Sequence, residues 1–559
     1  MKKFIDDPEI LSREWDVIVI GTGVGGATAG YALAKAGKSV LFCERGRYHV
    51  DSPDSLAGDW LEALTGSGSG GLTAEQKRRG GRFTGSINDV TGPHTRQIWP
   101  VLGIGTGGSS ALYGMVMERL FPSDFTPASH YRDAEDANLP TSWPISFNEL
   151  NEYYSKAEGL YGVRATVDPL RPPGETRSIR VPPAFTASVE ELAENFRSKG
   201  LHPYHVPVAC EYLPGCRECV GYICPQRCKR DSVTACLEPA LEQHGAALLS
   251  ECEVDTLDSA DGRVTAVNAR WRGKQIRLSG RKVILAAGAV HTPAILLRSN
   301  GAGGLANGSG QVGRNLMRHF VDYYIVYTKT RYTRGPQKQI AMNDFYLIDG
   351  MKLGTIQSNG RMPPARSIAA GFKETLQEVW RPLGLLYPVI RAIVEFRVQR
   401  MLSGAHALVS FMEDLPYQSN RIGLSEDKQN ITLEYSIGPF EARRLAQFRL
   451  HIANALKPLK FKKIYRASEN RVLGHVCGTC RFGMDPQTSV LNRDNRAHEI
   501  ENLYVVDASF FPTSGGINPS LTIAANALRV ADRIVALDDG TVSRIAGNSP
   551  NIAEARKHS

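Results

Sequence analysis

The chain has 559 residues, more than one simple hydrophobic core accommodates, so we expect two lobes or two domains. Its composition, with 42% hydrophobic and 22% charged residues, is ordinary for a globular protein. The formal net charge of +9 is spread along the chain, with one compact basic cluster at residues 77–82, and we therefore expect no nucleic-acid partner.

The N-terminus, MKKFIDDPEILSREW, has no apolar stretch before the first predicted strand. We therefore predict no secretory signal and a cytoplasmic protein. No uninterrupted run of about 18 apolar residues occurs, so we expect no membrane-spanning helix. The nearest approach, Val379 to Leu402, contains four arginines and two prolines. It indicates an amphipathic helix packed on a domain, with contact at a membrane surface as the less favoured alternative.

The first predicted elements form a β-α-β unit. Trp15 to Ile20 (WDVIVI) is a short apolar run typical of a buried parallel strand, and it ends at glycine. Residues 27–36 have helical character, and residues 39–43 (SVLFC) predict a second strand that is followed by Glu44.

The turn between this first strand and helix reads Gly21-Thr-Gly23-Val-Gly25-Gly26. Gly21 allows a tight turn, Gly23 lets the backbone approach a pyrophosphate, and Gly26 permits close packing of helix on strand. Glu44 lies 23 residues after Gly21, where a carboxylate can accept hydrogen bonds from ribose hydroxyls. Together these features predict a dinucleotide site rather than a glycine-rich turn without a ligand.

The rest of the chain predicts further loops, helices and strands. Residues 66–71 (GSGSGG) predict a loop, and Ser146 with Glu149 forms a capping-box pattern that predicts the start of a helix. Residues 282–286 and 503–509 predict further buried strands, and residues 320–465 predict antiparallel sheet with helices. A helix is expected at residues 522–537, followed by a polar tail.

Several ordered motifs resemble the glucose-methanol-choline (GMC) family of FAD-dependent oxidoreductases, and the resemblance spans nearly the whole chain. Besides the glycine fingerprint, they are GIGTGGSSALYGMVMERL at 103–120, GAVHTPAILLRSNG at 288–301, VGRNLMRHF at 312–320, EDLPYQSNRIGLS at 413–425, GHVCGTCRFGMDPQTSV at 474–490 and NLYVVDASFFPTSGGINPSLTIAANALRVADRI at 502–534. The resemblance implies an α/β fold in which a Rossmann-like FAD-binding domain is interleaved with an α+β substrate domain built on an antiparallel sheet.

We assign domain boundaries on this basis. The FAD-binding domain is expected to consist of residues 1–125, 211–320 and 466–545. A substrate-domain or lid segment is expected at 126–210 and the main substrate-binding domain at 321–465, and a flexible tail at 546–559.

The resemblance also implies the chemistry. Alcohol oxidation removes a hydroxyl proton and a carbon-bound hydride, so it needs a base beside the flavin. The family's base is the histidine of its H-x-x-G-T segment, here His475, and the partner position in the C-terminal segment is here Asn518. A neutral amide there can bind the substrate oxygen without competing for the proton.

The expected cofactor is FAD, bound without a covalent link because the segment SSALYG lacks the histidine that attaches FAD in some relatives. Asp507 is predicted to lie at the cofactor, and the alternative is a helix-capping or turn role. The predicted cofactor-binding residues are Gly21, Gly23, Gly25, Gly26, Glu44, Arg45, Gly108, Ser109, Ser110, Tyr113, Val254, Ala287, Asp507, Ala508, Asn518 and Pro519.

Ten cysteines occur, and five of them fall in one segment: Cys210, Cys216, Cys219, Cys224 and Cys228. Plain thiols are the favoured interpretation, because the segment resembles a family segment that retains its thiols. The spacings lack the two clean CxxC pairs that zinc would favour. An iron-sulfur cluster is the main alternative, and zinc or a disulfide is the last. We therefore predict no metal.

The predicted function is oxidation of an alcohol, with a sugar, glycoside or polyol as the preferred small-molecule substrate. The electron acceptor is either O2 or an external acceptor, with a slight preference for a dehydrogenase because of the thiol-rich segment. The alternatives are an FAD-dependent lyase on the same scaffold and a flavin-binding structural or membrane-associated electron-transfer subunit. The sequence does not indicate an oligomeric state.

Overall fold

The computed structural model describes residues 5–50, 52–65, 72–131, 133–369, 383–469 and 473–540. Its strands are β1 (Trp15–Ile20), β2 (Val40–Cys43), β3 (Ile87–Asp89), β4 (Arg96–Ile98), β5 (Tyr204–His205), β6 (Ala247–Leu249), β7 (Cys252–Ala260), β8 (Arg263–Trp271), β9 (Lys274–Leu278), β10 (Gly280–Leu285), β11 (Phe320–Tyr327), β12 (Ile340–Met342), β13 (Leu347–Ile348), β14 (Met351–Lys352), β15 (Gly354–Ser358), β16 (His406–Met412), β17 (Arg421–Leu424), β18 (Ile431–Glu434), β19 (Lys460–Tyr465) and β20 (Leu503–Val505). Its α-helices are α1 (Val24–Lys35), α2 (Leu61–Leu64), α3 (Ala74–Arg79), α4 (Phe147–Tyr161), α5 (Ala187–Arg197), α6 (Glu238–Gln243), α7 (Gly288–Arg298), α8 (Leu383–Leu402), α9 (Pro439–Leu456) and α10 (Ser520–Asp538).

A five-stranded parallel sheet lies below the glycine turn, in the order β20-β10-β1-β2-β6. Its strands are almost continuously apolar because both faces of such a sheet are covered, and β2 is buried along its whole length. Helix α1 contacts β1 and β2, and the three-stranded antiparallel sheet β7-β8-β9 contacts β2 and β10. Helix α1 packs against α10, which joins the first and last parts of the chain. The carboxyl ends of β1, β2, β10 and β20 therefore meet at one edge, where ligands bind in open α/β sheets.

A second, six-stranded sheet has the order β19-β11-β16-β15-β12-β5, and its paired strands are antiparallel. One face of this sheet packs on α5 and α9 through a core that includes Leu192, Tyr324, Ile356 and Phe448. Alternation along each strand turns the neighbouring residues to the opposite face, where Phe411 lies against His475. These two sheets confirm the predicted fold class.

The predicted local elements are largely confirmed. Strand β1 has the predicted bounds, the capping box of Ser146 and Glu149 begins α4, and α10 covers the helix predicted at 522–537. The predicted helix from Val379 to Leu402 is described from residue 383, and no described helix has the length and apolar character needed to cross a membrane. The loop at 66–71 and the tail at 546–559 lie outside the described residues.

One part of the antiparallel region differs from the sequence expectation. Strands β17 and β18 lie within residues 320–465 but join β3 and β4 in a separate four-stranded sheet, with β18 parallel to β3. The reason is packing, because Ile422 and Leu433 share a small core with Ile87 and Ala294. The domain boundaries at residues 125, 210, 320 and 465 stay a prediction.

Candidate active site

A central cavity of about 450 Å³ runs along the carboxyl edge of the parallel sheet. It extends from the glycine turn after β1 to the segment that carries His475. All of the predicted site residues line it except one, Gly26; those that do are Gly21, Gly23, Gly25, Glu44, Arg45, Gly108, Ser109, Ser110, Tyr113, Val254, Ala287, His475, Asp507, Ala508, Asn518 and Pro519.

The glycine turn is closed on one side and open on the other. A Cβ at Gly21, whose φ is +100°, would lie 2.4 Å from the Ala286 carbonyl oxygen, and one at Gly26 would lie 2.1 Å from the Gly21 oxygen. At Gly23 a Cβ would meet nothing within 4 Å. Helix α1 starts directly afterwards with no side-chain cap, so its first N–H groups are available to an anion. The turn therefore fits the pyrophosphate of a dinucleotide, and Gly26 has the packing role.

Glu44 holds the turn in place. Its buried carboxylate accepts hydrogen bonds from Thr22 N (3.1 Å) and Thr22 Oγ1 (2.7 Å), and from the backbone N–H groups of Gly46 (3.0 Å) and Gly105 (3.1 Å). These four protein donors occupy the acceptor positions of one carboxylate. Contact of Glu44 with a ribose hydroxyl stays a prediction, and the contacts seen tie the fingerprint to the glycine-rich loop.

Asp507 has a similar bridging role just after β20, where its backbone lies beside Gly25 of the glycine turn. Its carboxylate accepts hydrogen bonds from Gly288 N (2.9 Å), Thr292 Oγ1 (2.5 Å) and both polar groups of Ser509. Burial raises the pKa of this carboxyl above its usual range, although these donors oppose the effect. The side chain thus caps the short helix at residues 508–510 and joins it to α7.

The three predicted hydroxyl groups of the loop at residues 108–114 differ in what they can still donate. Ser110 Oγ donates to the Gly107 oxygen (2.7 Å), and the Tyr113 hydroxyl donates to the Arg230 oxygen (2.5 Å). Ser109 Oγ accepts from Gly103 N (3.1 Å) and therefore keeps its own proton to donate.

His475 lies at the far end of the cavity, on a residue with φ +57°. Its Nδ1 is 2.8 Å from His319 Nδ1, and its ring centroid is 4.8 Å from that of Phe411. Burial, followed by nearby positive charge, holds the pKa of His475 well below its usual value. The imidazole is therefore neutral at physiological pH and can accept a proton.

Asn518 faces this histidine. The Asn518 side chain is 8% exposed, and its Nδ2 lies 3.5 Å from His475 Nε2. Its Oδ1 accepts a 2.9 Å hydrogen bond from Gln357 Nε2. The structure thus brings together the two residues that the sequence paired, although 43 positions separate them.

Sequence reasoning missed two residues that hydrogen-bond to this pair, His319 and Gln357. His319 stands in the segment VGRNLMRHF, which carried the family resemblance but indicated no role for the histidine. Gln357 lies in β15, and nothing in its local pattern distinguishes it from any other buried strand residue. Only the pairing of β15 with β12 and β16 places it beside Asn518.

Among the residues that the structure describes, no three or more His, Cys, Asp or Glu side chains are grouped so that they could hold a metal ion. All ten cysteines have free thiols. Cys210 Sγ and Cys216 Sγ lie 3.6 Å apart. Burial raises the pKa of Cys480 near the catalytic segment, which favours a packing role over a nucleophilic thiolate.

Comparison with known proteins identifies the family. Two family models described as GMC oxidoreductase match residues 16–321 and 416–527. Paromamine 6'-oxidase from Streptomyces fradiae is 29% identical over 558 residues, covering 93% of this chain and 91% of that protein. The 2-methyl-1,2-propanediol dehydrogenase from Mycolicibacterium austroafricanum is 27% identical over 550 residues, with coverages of 93% and 95%.

Solved structures share the fold. Pyridoxine 4-oxidase from Mesorbium loti has a TM-score of 0.62 at 16% identity and covers 93% of this chain and 99% of its own. A fungal aryl-alcohol oxidase has a TM-score of 0.58 at 16% identity, with coverages of 95% and 100%. Because the two family models together match well over half of its length, the chain belongs to the GMC oxidoreductase family.

Proposed function

We propose that this protein binds FAD non-covalently and oxidises an alcohol group of a sugar, glycoside or polyol to a carbonyl. The observation that carries the proposal is the His475–Asn518 pair at one end of the cavity, with the dinucleotide turn at the other. The relatives named as a paromamine oxidase and a propanediol dehydrogenase support a polyhydroxylated donor.

The residues divide the reaction between them. When bound, FAD supplies the hydride acceptor, its N5 atom. His475 Nε2 accepts the hydroxyl proton while the carbon gives up its hydride and the C–O bond becomes a carbonyl. Asn518 Nδ2 donates a hydrogen bond to the substrate oxygen and holds it beside the base. The low pKa of His475 keeps Nε2 free to accept that proton.

Helix N-termini support the redox half of the reaction. Gly288, the first residue of α7, and Ser520, the first residue of α10, both line the cavity. The positive end of a helix dipole and its free N–H groups stabilise negative charge. The N-terminus of α10, which has no side-chain cap, therefore favours the reduced cofactor, on which negative charge develops. The N–H of Gly288 at the start of α7 already donates to Asp507.

The charges around the cavity support a neutral rather than a cationic alcohol. Three carboxylates belong to the described lining residues, and each has protein partners: Glu44 and Asp507 hold N–H and O–H donors, and Glu253 pairs with arginines. Beside Gly114 lies the buried ammonium of Lys338, and its charge contributes to the low pKa of His475. A neutral sugar or polyol needs no carboxylate partner, and none of the three described carboxylates is free to supply one.

The test is anaerobic mixing of the purified holoprotein with a panel of neutral sugars, polyols, aminosugars and simple alcohols. Bleaching of the flavin absorbance is expected with a neutral polyhydroxylated donor, and readmission of O2 or of an artificial acceptor then identifies the oxidant. Unchanged flavin together with release of an aldehyde would favour the lyase alternative.

His475→Ala is expected to slow flavin reduction by several orders of magnitude while FAD stays bound. His451→Ala, on α9 and outside the cavity, is the matched control. A near-normal reduction rate in the His475 variant would refute the assignment of the base.

A further inference from the structure

Gln357 is a buried strand residue that hydrogen-bonds to Asn518. It lies in β15 between β12 and β16, opposite Ala341 and Val409, so its backbone is held on both sides. The side chain is 1% exposed, and its Nε2 donates the 2.9 Å hydrogen bond to Asn518 Oδ1. Gln357 does not line the cavity. Any effect on the reaction therefore passes through Asn518.

That hydrogen bond selects one of two orientations of the Asn518 amide. With Oδ1 held by Gln357, Nδ2 is turned to His475 Nε2, at 3.5 Å. An N–H donor in this place favours an unprotonated Nε2, because the N–H group can only donate to the lone pair of that atom. The reversed amide would put Oδ1 there instead, and an acceptor would favour the protonated imidazolium.

The hydrogen bonds on the other side of His475 also favour a neutral ring with an unprotonated Nε2. The Ser514 carbonyl oxygen can only accept, and it lies 3.4 Å from His319 Nε2, which therefore carries the proton of a neutral His319. His319 Nδ1 is then an acceptor for the Nδ1–H of His475, at 2.8 Å. A neutral His475 with its proton on Nδ1 has a free lone pair on Nε2, the atom that faces Asn518.

We propose that Gln357 is a positioning residue that orients the Asn518 amide, with Nδ2 toward His475 and the alcohol oxygen, and so maintains Nε2 of His475 as the proton acceptor. This inference rests on the proposed function, because it assigns a task to the same base and the same amide.

The remaining polar atom of Gln357 supports a functional rather than a packing role. In the described part of the chain, its Oε1 is buried with no hydrogen-bond partner. A buried acceptor without a donor is unfavourable, and an apolar side chain of similar shape would avoid it. Packing alone therefore does not account for an amide at this position, whereas the Nε2–H bond to Asn518 does.

The test combines two substitutions at one position. Gln357→Met keeps the length of the side chain and removes both polar atoms, so the reduction rate of bound FAD is expected to fall about tenfold. Gln357→Glu keeps the shape but replaces the donor by an acceptor, which turns the Asn518 amide and presents Oδ1 to His475. Its loss should be larger, and the acidic limb of the pH–rate profile should move to higher pH.

Asn518→Ala completes a double-mutant cycle. In that background Gln357→Met is expected to cause no further loss, because the group it positions is absent. Independent losses that multiply in the double variant would overturn the inference, as would a normal rate in both Gln357 variants. A normal rate in Asn518→Ala alone would instead overturn the proposed function.

Gln339→Met is the matched control. This glutamine is also buried, but its amide is fully engaged by backbone groups, accepting from Thr186 N (2.9 Å) and donating to the Ala184 oxygen (2.6 Å). Its replacement should lower Tm without changing the rate per bound FAD. The Gln357→Met variant should show the reverse, a near-normal Tm with slow reduction and an unaltered FAD content.

Discussion

Replacing His319 by phenylalanine removes the acceptor of the 2.8 Å hydrogen bond to His475 Nδ1 and keeps a ring of similar size. A hydrogen bond to a group that becomes charged contributes about 1.5 to 3 kcal/mol. The imidazolium of His475 exists only after proton transfer, so the loss falls on that step. At about 1.4 kcal/mol per factor of ten, flavin reduction should slow about 10- to 100-fold. His319 does not line the cavity, so FAD should stay bound.

The assay is anaerobic stopped-flow measurement of flavin absorbance at saturating substrate, with FAD content measured on the same samples. His406→Phe is the matched control, because His406 is also buried but begins β16, five residues before Phe411, the ring beside His475. A loss smaller than twofold in the His319 variant would refute the reasoning. An equal loss in both variants would assign the effect to sheet packing instead of the hydrogen bond.

Two further predictions concern the glycine turn and a buried carboxyl. Gly25→Ala should lower Tm, because a Cβ there would lie 2.2 Å from the Val506 carbonyl oxygen, whereas Gly23→Ala should keep Tm and weaken FAD binding. Thermal unfolding and FAD titration of both apoproteins check this pair, and equal effects on Tm would contradict it. Burial raises the pKa of Glu118 from 4.5 to about 7, so the folded state binds the extra proton and its stability falls as pH rises between these values. Unfolding free energies at pH 4.5 and pH 8 should differ by about 3 kcal/mol through this group and by less in Glu118→Gln; the same pH dependence in both proteins would refute the assignment.

The parts of the fold that the sequence predicts are those with short-range causes. The turn that begins at Gly21 can be predicted because strand, turn and helix follow each other directly, and a Cβ is sterically excluded at Gly21. The capping box at Ser146 and Glu149 is readable for the same reason, since both partners lie within one helical turn.

The candidate site depends only partly on such short-range causes. His475 and Asn518 are identified by the motifs around them, but their approach depends on how the C-terminal segment folds against the segment before it. Glu44 illustrates the limit, because its position after β2 is predictable, whereas its four protein donors include a loop residue 61 positions away.

The sequence by itself determined the dinucleotide turn, the parallel strands around it and the candidate base with its amide partner. Only the tertiary structure decided that β17 and β18 join the sheet of β3, and that His319 and Gln357 hydrogen-bond to His475 and Asn518. The physical reason is that strand pairing and side-chain hydrogen bonds join residues far apart in the chain. No local periodicity records which strand lies next to which, and the orientation of the Asn518 amide follows from that pairing.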